Sequence, residues 1–314
     1  MMSKSLQPMS ITEFLELPRQ EIWILHEQFG FPKLGVFVVD GTRRLVLANS
    51  DLEPETDAFY HAAAHLPAKY LRAAIETVFL NGLPTLFAPI LGKSLFQRGE
   101  RYVRMTLLEG LKLLFDSSEW REMYDQLDIR VRVYGHPECL SGTSCEEALT
   151  WIERTQRQTA QHCKHSLWYA IGESAVVGEE AAQNAARFFV ERQYFPSWEE
   201  QVQRYYGELL PMADWFIMTS KMSGLGALPP LLVNSDTELY FLPTVMSLTE
   251  QVYRRILYDI WFGRSALRRG IADFELTPEN RAALRLAYQQ SVGQVLGIGF
   301  EIGRVWVMGE DERG

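Results

Sequence analysis

Five short apolar runs, each set apart from the next by a longer amphipathic stretch, limit this chain to few folds. The runs are LGVFVV (34–39), PTLFAPIL (84–91), IRVRVYG (129–135), SLWYAIG (166–172) and ADWFIM (213–218). The third alternates, and the first is continuously apolar, as strands covered on both faces are. Between them, 60–82, 101–115, 145–162 and 179–193 carry helical spacing, and 248–265 and 278–291 read as late helices. Pro67 predicts a kink or break early in the first of these, and Gly82 a stop near its end. Strands separated by helices imply an α/β fold, a mostly parallel central sheet with helices on both faces. No repeat, low-complexity segment or clear linker divides the chain, so one domain spanning 1–314 is the simplest reading.

Composition excludes several classes of function. A net charge of −9 leaves no basic surface for nucleic acid, so any anion site is a local cluster in an acidic molecule. Three cysteines in 314 residues make no disulfide scaffold. With the lack of an apolar signal core in MMSKSLQPMS, they point to a reducing cytoplasm. No apolar run reaches the length of a membrane span.

In such sheets ligands sit at the carboxyl ends of the strands. The first run ends there in DGTRR (40–44). Gly41 lets backbone approach a ligand closely, and the amides after it can form an anion-holding concavity. Arg43 and Arg44 supply permanent charge and planar forks suited to phosphate oxygens. Asp40 would repel a bare phosphate, but makes sense if it holds Mg²⁺, accepts a proton or orients a second reactant. The plainer reading is a strand-ending turn with two surface arginines in ion pairs.

The DGTRR loop resembles the Asp-Gly-Asn-x-Arg diphosphate loop of the cis-prenyltransferases. The strings EFLELP, VDGTRRL, YHAAA, RGERYV, LEGLKLL, YYGELLPMADWFI, TELYF, RRILYD and VLGIGFEIGRVW resemble, in order, an offshoot of that fold. That offshoot is the bacterial diterpene synthases of the tuberculosinol and kolavelool type. The resemblance covers nearly the whole chain. It implies ionisation of a linear or bicyclic C20 allylic diphosphate, water capture, and release of a diterpene alcohol and diphosphate. It also implies Asp40 as catalytic acid group and Mg²⁺ ligand, and Gly41, Thr42, Arg43 and Arg44 as diphosphate cradle. Tyr60 then lies near the reacting carbon, and Arg98 is a further diphosphate contact. A homodimer is implied as well, as is a separate class II diterpene cyclase as supplier of a bicyclic substrate, because no Asp-x-Asp-Asp motif is present. For Tyr60 a helix-packing aromatic is the alternative reading.

One departure separates this chain from chain-elongating cis-prenyltransferases. Those hold isopentenyl diphosphate with an Arg-x-x-Gly-Glu-x-Arg-x-Ser segment. Here ADWFI is followed by Met218, Thr219, Ser220, Lys221 and Met222, and Lys221 alone is a poor substitute for a bidentate cradle. One-substrate chemistry is therefore expected. The alternatives are transfer to another acceptor, such as isopentenyl diphosphate or a nucleoside, and a non-catalytic prenyltransferase-like subunit.

Other signals read as background. DLEPETD, with Asp51, Glu53, Glu55 and Asp57, reads as a solvated acidic loop, and NSDTELY as a turn into a strand. His61 and His65 lie four apart but lack the glutamate of a zincin motif. His136, Cys139, Cys145, His162, Cys163 and His165 do not have zinc-site spacing. In RRILYD, Arg254 and Arg255 cannot share a helix face, so one points to a site or partner, or both pair at the surface.

Overall fold

The computed structural model describes residues 9–173, 178–219, 228–264, 277–292, 296, 298–302 and 305–308. They form two compact units, Pro18–Glu250 and a second made of Met1–Leu17 with Gln251–Gly314.

The first unit holds a six-stranded sheet in the order β3-β4-β2-β1-β5-β6. Its strands are β1 (Leu34–Val38), β2 (Thr85–Gly92), β3 (Ile129–Gly135), β4 (His165–Glu173), β5 (Trp215–Thr219) and β6 (Glu238–Leu242). Every pairing is parallel. The five apolar runs are the first five strands, and the sixth follows the NSDTELY turn. All five residues of β1 and of β5 are buried. One face of the sheet, with Leu34, Val36, Phe87, Trp168 and Phe216, packs on Val202 and Tyr206. Phe37 and Ile217, of opposite parity, are also fully buried. Both faces are therefore covered, as a parallel sheet demands.

Gly35 shows how tightly the sheet is packed. It pairs with Trp215 across β1 and β5. A Cβ at Gly35 would stand 2.0 Å from the Trp215 indole, so only hydrogen fits. Asp214 sets where β1 begins: its Oδ2 accepts from the amides of Lys33 at 2.6 Å and Leu34 at 3.0 Å.

The helices of this unit are α2 (Arg19–Phe29), α3 (Thr42–Asn49), α4 (Asp57–Leu80), α5 (Glu100–Tyr102), α6 (Glu109–Asp116), α7 (Ser118–Gln126), α8 (Ala148–Gln158), α9 (Glu179–Arg192) and α10 (Trp198–Tyr206). A π-helical segment, Val103–Leu108, joins α5 to α6. Of the kink or break expected at Pro67, the break does not occur: α4 runs 24 residues through it. Pro67 removes one helical hydrogen bond, but it is buried, and packing along the apolar side of α4 carries the helix past it. The α2, α3, α7 and α10 helices were not read from the sequence.

In the second unit lie α1 (Ile11–Glu16), α12 (Pro278–Ser291), the β7 (Gly299–Ile302) and β8 (Val305–Met308) hairpin, and all but the first residue of α11 (Glu250–Tyr258). Here the RRILYD question is answered. Arg254 is buried, and its guanidinium donates to the carbonyls of Leu15 at 3.0 Å and Leu17 at 2.5 Å, tying off the end of α1. Arg255 is exposed. Among the described residues no helix is long and apolar enough to cross a membrane.

Candidate active site

DGTRR is a strand-to-helix turn rather than a loop. The Asp40 amide donates to Thr219 Oγ1 at 2.8 Å, and the same hydroxyl lies 3.1 Å from the Asp40 carbonyl. Thr219 ends β5 and is fully buried, so the neighbouring strand clamps the turn from below. Gly41 then takes φ +76° and ψ +20° and becomes the N-cap of α3. That left-handed conformation is one a side chain disfavours. The Gly41 amide donates to Asp40 Oδ1 at 2.6 Å.

Thr42, Arg43 and Arg44 are the first three residues of α3. No side chain caps this turn, and it holds no acid. Two arginines therefore sit where the helix dipole is already positive, an arrangement that is unfavourable alone and favourable with an anion bound. Arg44 reaches to 4.0 Å from Asp40 Oδ2, whose side chain is 45% exposed. Arg43 is exposed.

Beneath this turn opens a cavity of about 160 Å³. Its polar lining is Asp40 and Thr42 from the turn, Arg98 and Thr106. Its apolar walls come from α4 (Ala63, Ala64, Pro67, Ala68, Leu71), from β2 and the turn after it (Pro89, Ile90, Leu91, Leu95), and from the helix opposite (Tyr102, Leu107, Gly110, Leu111, Leu114). The geometry suits an amphiphile with an anionic head and a hydrocarbon body.

Asp40, Thr42 and Arg98, expected from the sequence to share a site, are thus brought to one cavity. Gly41, Arg43 and Arg44 stand in the turn above it without lining it, and Tyr60 does not line it either. Its ring packs edge-on against Tyr102 at 6.1 Å, and it is Tyr102, 4% exposed, that faces the cavity. Arg98 donates to the Tyr102 hydroxyl at 3.0 Å and lies over its ring at 5.2 Å. On the other side, Arg101 lies over the Tyr60 ring at 5.4 Å and pairs with Asp57 at 2.7 Å. The π-helical segment sets this register: Thr106 Oγ1 donates to the Tyr60 carbonyl at 3.0 Å, fastening it to α4. Such π segments concentrate at functional sites. Sequence reasoning missed Tyr102 although it lies within RGERYV, and missed Thr219, which no local motif marks.

The background signals are structural. Asp51, Glu53, Glu55 and Asp57 are all exposed. The His61 and His65 rings stack at 4.0 Å, and burial, followed by the neighbouring His61, holds His65 below its ordinary value. His136 contacts Glu138 and Glu180, His162 contacts the Ile129 carbonyl, and His165 the Leu83 carbonyl. The three cysteines are unbridged. Among the described residues no group of three or more His, Cys, Asp or Glu could hold a metal ion. Ser220, Lys221 and Met222 lie outside the described residues, as does part of VLGIGFEIGRVW.

Comparison with known structures agrees with this layout. A probable undecaprenyl diphosphate synthase from Campylobacter jejuni superposes with a TM-score of 0.55 at 17% identity, over 73% of this chain and 94% of its own. Lavandulyl diphosphate synthase from Lavandula x intermedia, in complex with dimethylallyl diphosphate, gives 0.53 at 15%, over 72% and 94%. The fold is that of the cis-prenyltransferases. By sequence, the chain is similar to tuberculosinyl adenosine transferase of Mycobacterium tuberculosis, 28% identical over 94% of this chain and 96% of that protein. It is also similar to (+)-kolavelool synthase of Herpetosiphon aurantiacus, 26% identical over 95% and 94%. No protein-family model matches the chain. Together these likenesses support an isoprenoid-diphosphate enzyme on a cis-prenyltransferase fold.

Proposed function

We propose that this protein is a diterpene synthase that ionises an allylic C20 diphosphate, lets water capture the cation, and releases a diterpene alcohol and diphosphate. The observation that carries this reading is a single cavity with Asp40, Thr42 and Arg98 among otherwise mostly apolar walls, under the acid-free N-terminus of α3. In the reaction the C–O bond breaks with both electrons going to the diphosphate oxygen. The α3 amides and Arg44 stabilise the charge that develops there. The cation left behind faces apolar walls and the Tyr102 ring, a π-surface suited to positive charge. Water adds to it and loses a proton to Asp40 or to bulk solvent. Tyr60 holds Tyr102 in place from behind.

The residues fit Mg²⁺ in the way that ion is often held, by one carboxylate and the substrate's own phosphate oxygens. Asp40 supplies that carboxylate, exposed and beside the cradle. When bound, the ion would act as a Lewis acid on the leaving diphosphate. The reading extends to a cytoplasmic homodimer, and to a class II cyclase that makes a bicyclic substrate beforehand, kolavenyl or halimadienyl diphosphate among the candidates.

A second reading is transfer of the diterpenyl group to an acceptor other than water, as the name of the M. tuberculosis relative describes for that protein. Product analysis by gas chromatography–mass spectrometry separates the two. Protein with Mg²⁺ would be given geranylgeranyl, kolavenyl, halimadienyl or labdadienyl diphosphate, with Asp40→Ala as control. An alcohol formed without added acceptor, and lost about 10²-fold or more in the control, supports the synthase. Turnover that appears only with adenosine or isopentenyl diphosphate supports the transferase. No turnover under any condition leaves a non-catalytic subunit as the better account.

A further inference from the structure

Gly110 has no reason in its own backbone or immediate packing to be glycine. It stands inside the helix that α5, the π segment and α6 make, where glycine destabilises relative to alanine. Its backbone is not in the left-handed region that would demand glycine. Nor does a neighbour fill its place. A Cβ at Gly35 would strike Trp215 and one at Gly82 would strike His26, but at Gly110 it would meet nothing within 4 Å. Gly110 is also one of the residues that line the cavity.

The wall contributed by α4 repeats the pattern. Ala63, Ala64, Pro67 and Ala68 line the same cavity with little side-chain bulk, while Leu71 and Leu114 supply the larger groups. An extended prenyl chain is slender and packs well between ordinary leucines. A fused ring pair is broader and needs a wall without side chains somewhere along its length.

We propose that Gly110 is a specificity-determining position, kept free of a side chain so that the cavity accepts a ring-bearing hydrocarbon. This rests on the reading of the cavity as the site of a bicyclic C20 diphosphate and adds to it the residue that makes room for the rings.

The test compares wild type with Gly110→Ala and Gly110→Val. Each is assayed for diphosphate release from kolavenyl and from geranylgeranyl diphosphate. Binding of both compounds is read separately by thermal shift. Gly110→Ala should raise the melting temperature by about 1–2 °C, because a helix glycine is removed without a clash. Gly110→Val, with Gly110→Ala as the folded control, should lower kcat/KM for the bicyclic substrate by tenfold or more. Its kcat/KM for the linear one should stay within about threefold of wild type, and its thermal shift with kolavenyl diphosphate should shrink. Unchanged handling of the bicyclic compound in both variants overturns the proposal, as does an equal loss for both substrates. Should wild type bind kolavenyl diphosphate without releasing diphosphate, the synthase reading fails while the binding arm still decides the role of Gly110. Should it bind neither compound, both fall.

Discussion

Arg43 and Arg44 stand out once α3 is seen to begin at Thr42, because a helix start normally favours acids. A bound anion would offset both charges, although Arg44 already faces Asp40 at 4.0 Å. Arg44→Gln gives up that long pair but removes a positive charge from the helix start, so this variant, unliganded, should change in stability by no more than a few tenths of a kcal/mol. It should lose much of the melting-temperature rise that Mg²⁺ with diphosphate gives wild type. Equal ligand-induced shifts in the two proteins would remove Arg44 from the cradle. Thr219 acts one step further back, by holding the Asp40 backbone. Thr219→Val keeps the shape and removes the hydroxyl's bonds to Asp40, leaving a half-buried amide without its partner at about 1 kcal/mol. We expect kcat to fall about tenfold with KM little changed, a split that a merely structural role would not produce. Asp40 and its neighbours were legible in the sequence because the motif is local. Thr219 was not, because its role depends on a pairing across 179 residues.

At the scale of elements, the β1–β5 pair positions the site, and Gly35 is its tightest point. Gly35→Ala forces backbone or the Trp215 indole to move, so we expect a loss of about 1–3 kcal/mol in urea unfolding and a matching fall in activity. Wild-type stability in this variant would mean that Trp215 has an alternative seat. The edge strand β3 is protected differently. The Val131 amide donates to Thr159 Oγ1 at 3.0 Å and the Val133 amide to Gln156 Oε1 at 3.1 Å. Side chains that follow from α8 thereby occupy donors that would otherwise invite another strand. Five of the six strands of the central sheet were readable from their apolar runs. The short α2, α7 and α10 were not, because their amphipathic stripes cover too few turns to be told from turn-rich connections. The helix does not break at Pro67 for a related reason: local propensity is outweighed by the burial of the helix around it.

For the molecule as a whole, acid is the condition to which the fold is most exposed. Burial holds the His165 imidazole neutral, pushed down to about 4, and burial also lowers His26. An unfolded histidine takes up its proton near pH 6.5. The folded state binds fewer protons between these values, so the stability this burial carries is full above about pH 6.5 and is lost as pH falls towards 4. The loss from His165 alone amounts to about 3 kcal/mol at most. Urea midpoints measured from pH 7 to pH 4.5 should fall, and His165→Asn should flatten that fall. A midpoint independent of pH over this range would show that neither buried histidine is held neutral.

The amino-acid sequence by itself determined the parallel sheet, the strand whose end carries the candidate site, and the acid-and-arginine turn proposed to hold a diphosphate. Apolar runs and a five-residue motif act over short range, so they can be read without a fold. The tertiary structure alone decided that Tyr102 rather than Tyr60 faces the cavity, that Thr219 clamps Asp40, and that Arg254 ties off a helix end. It also set Gly110 against open space, whereas Gly35 meets an indole. A glycine looks the same in any sequence, and only packing distinguishes one that makes room for the protein from one that makes room for a ligand.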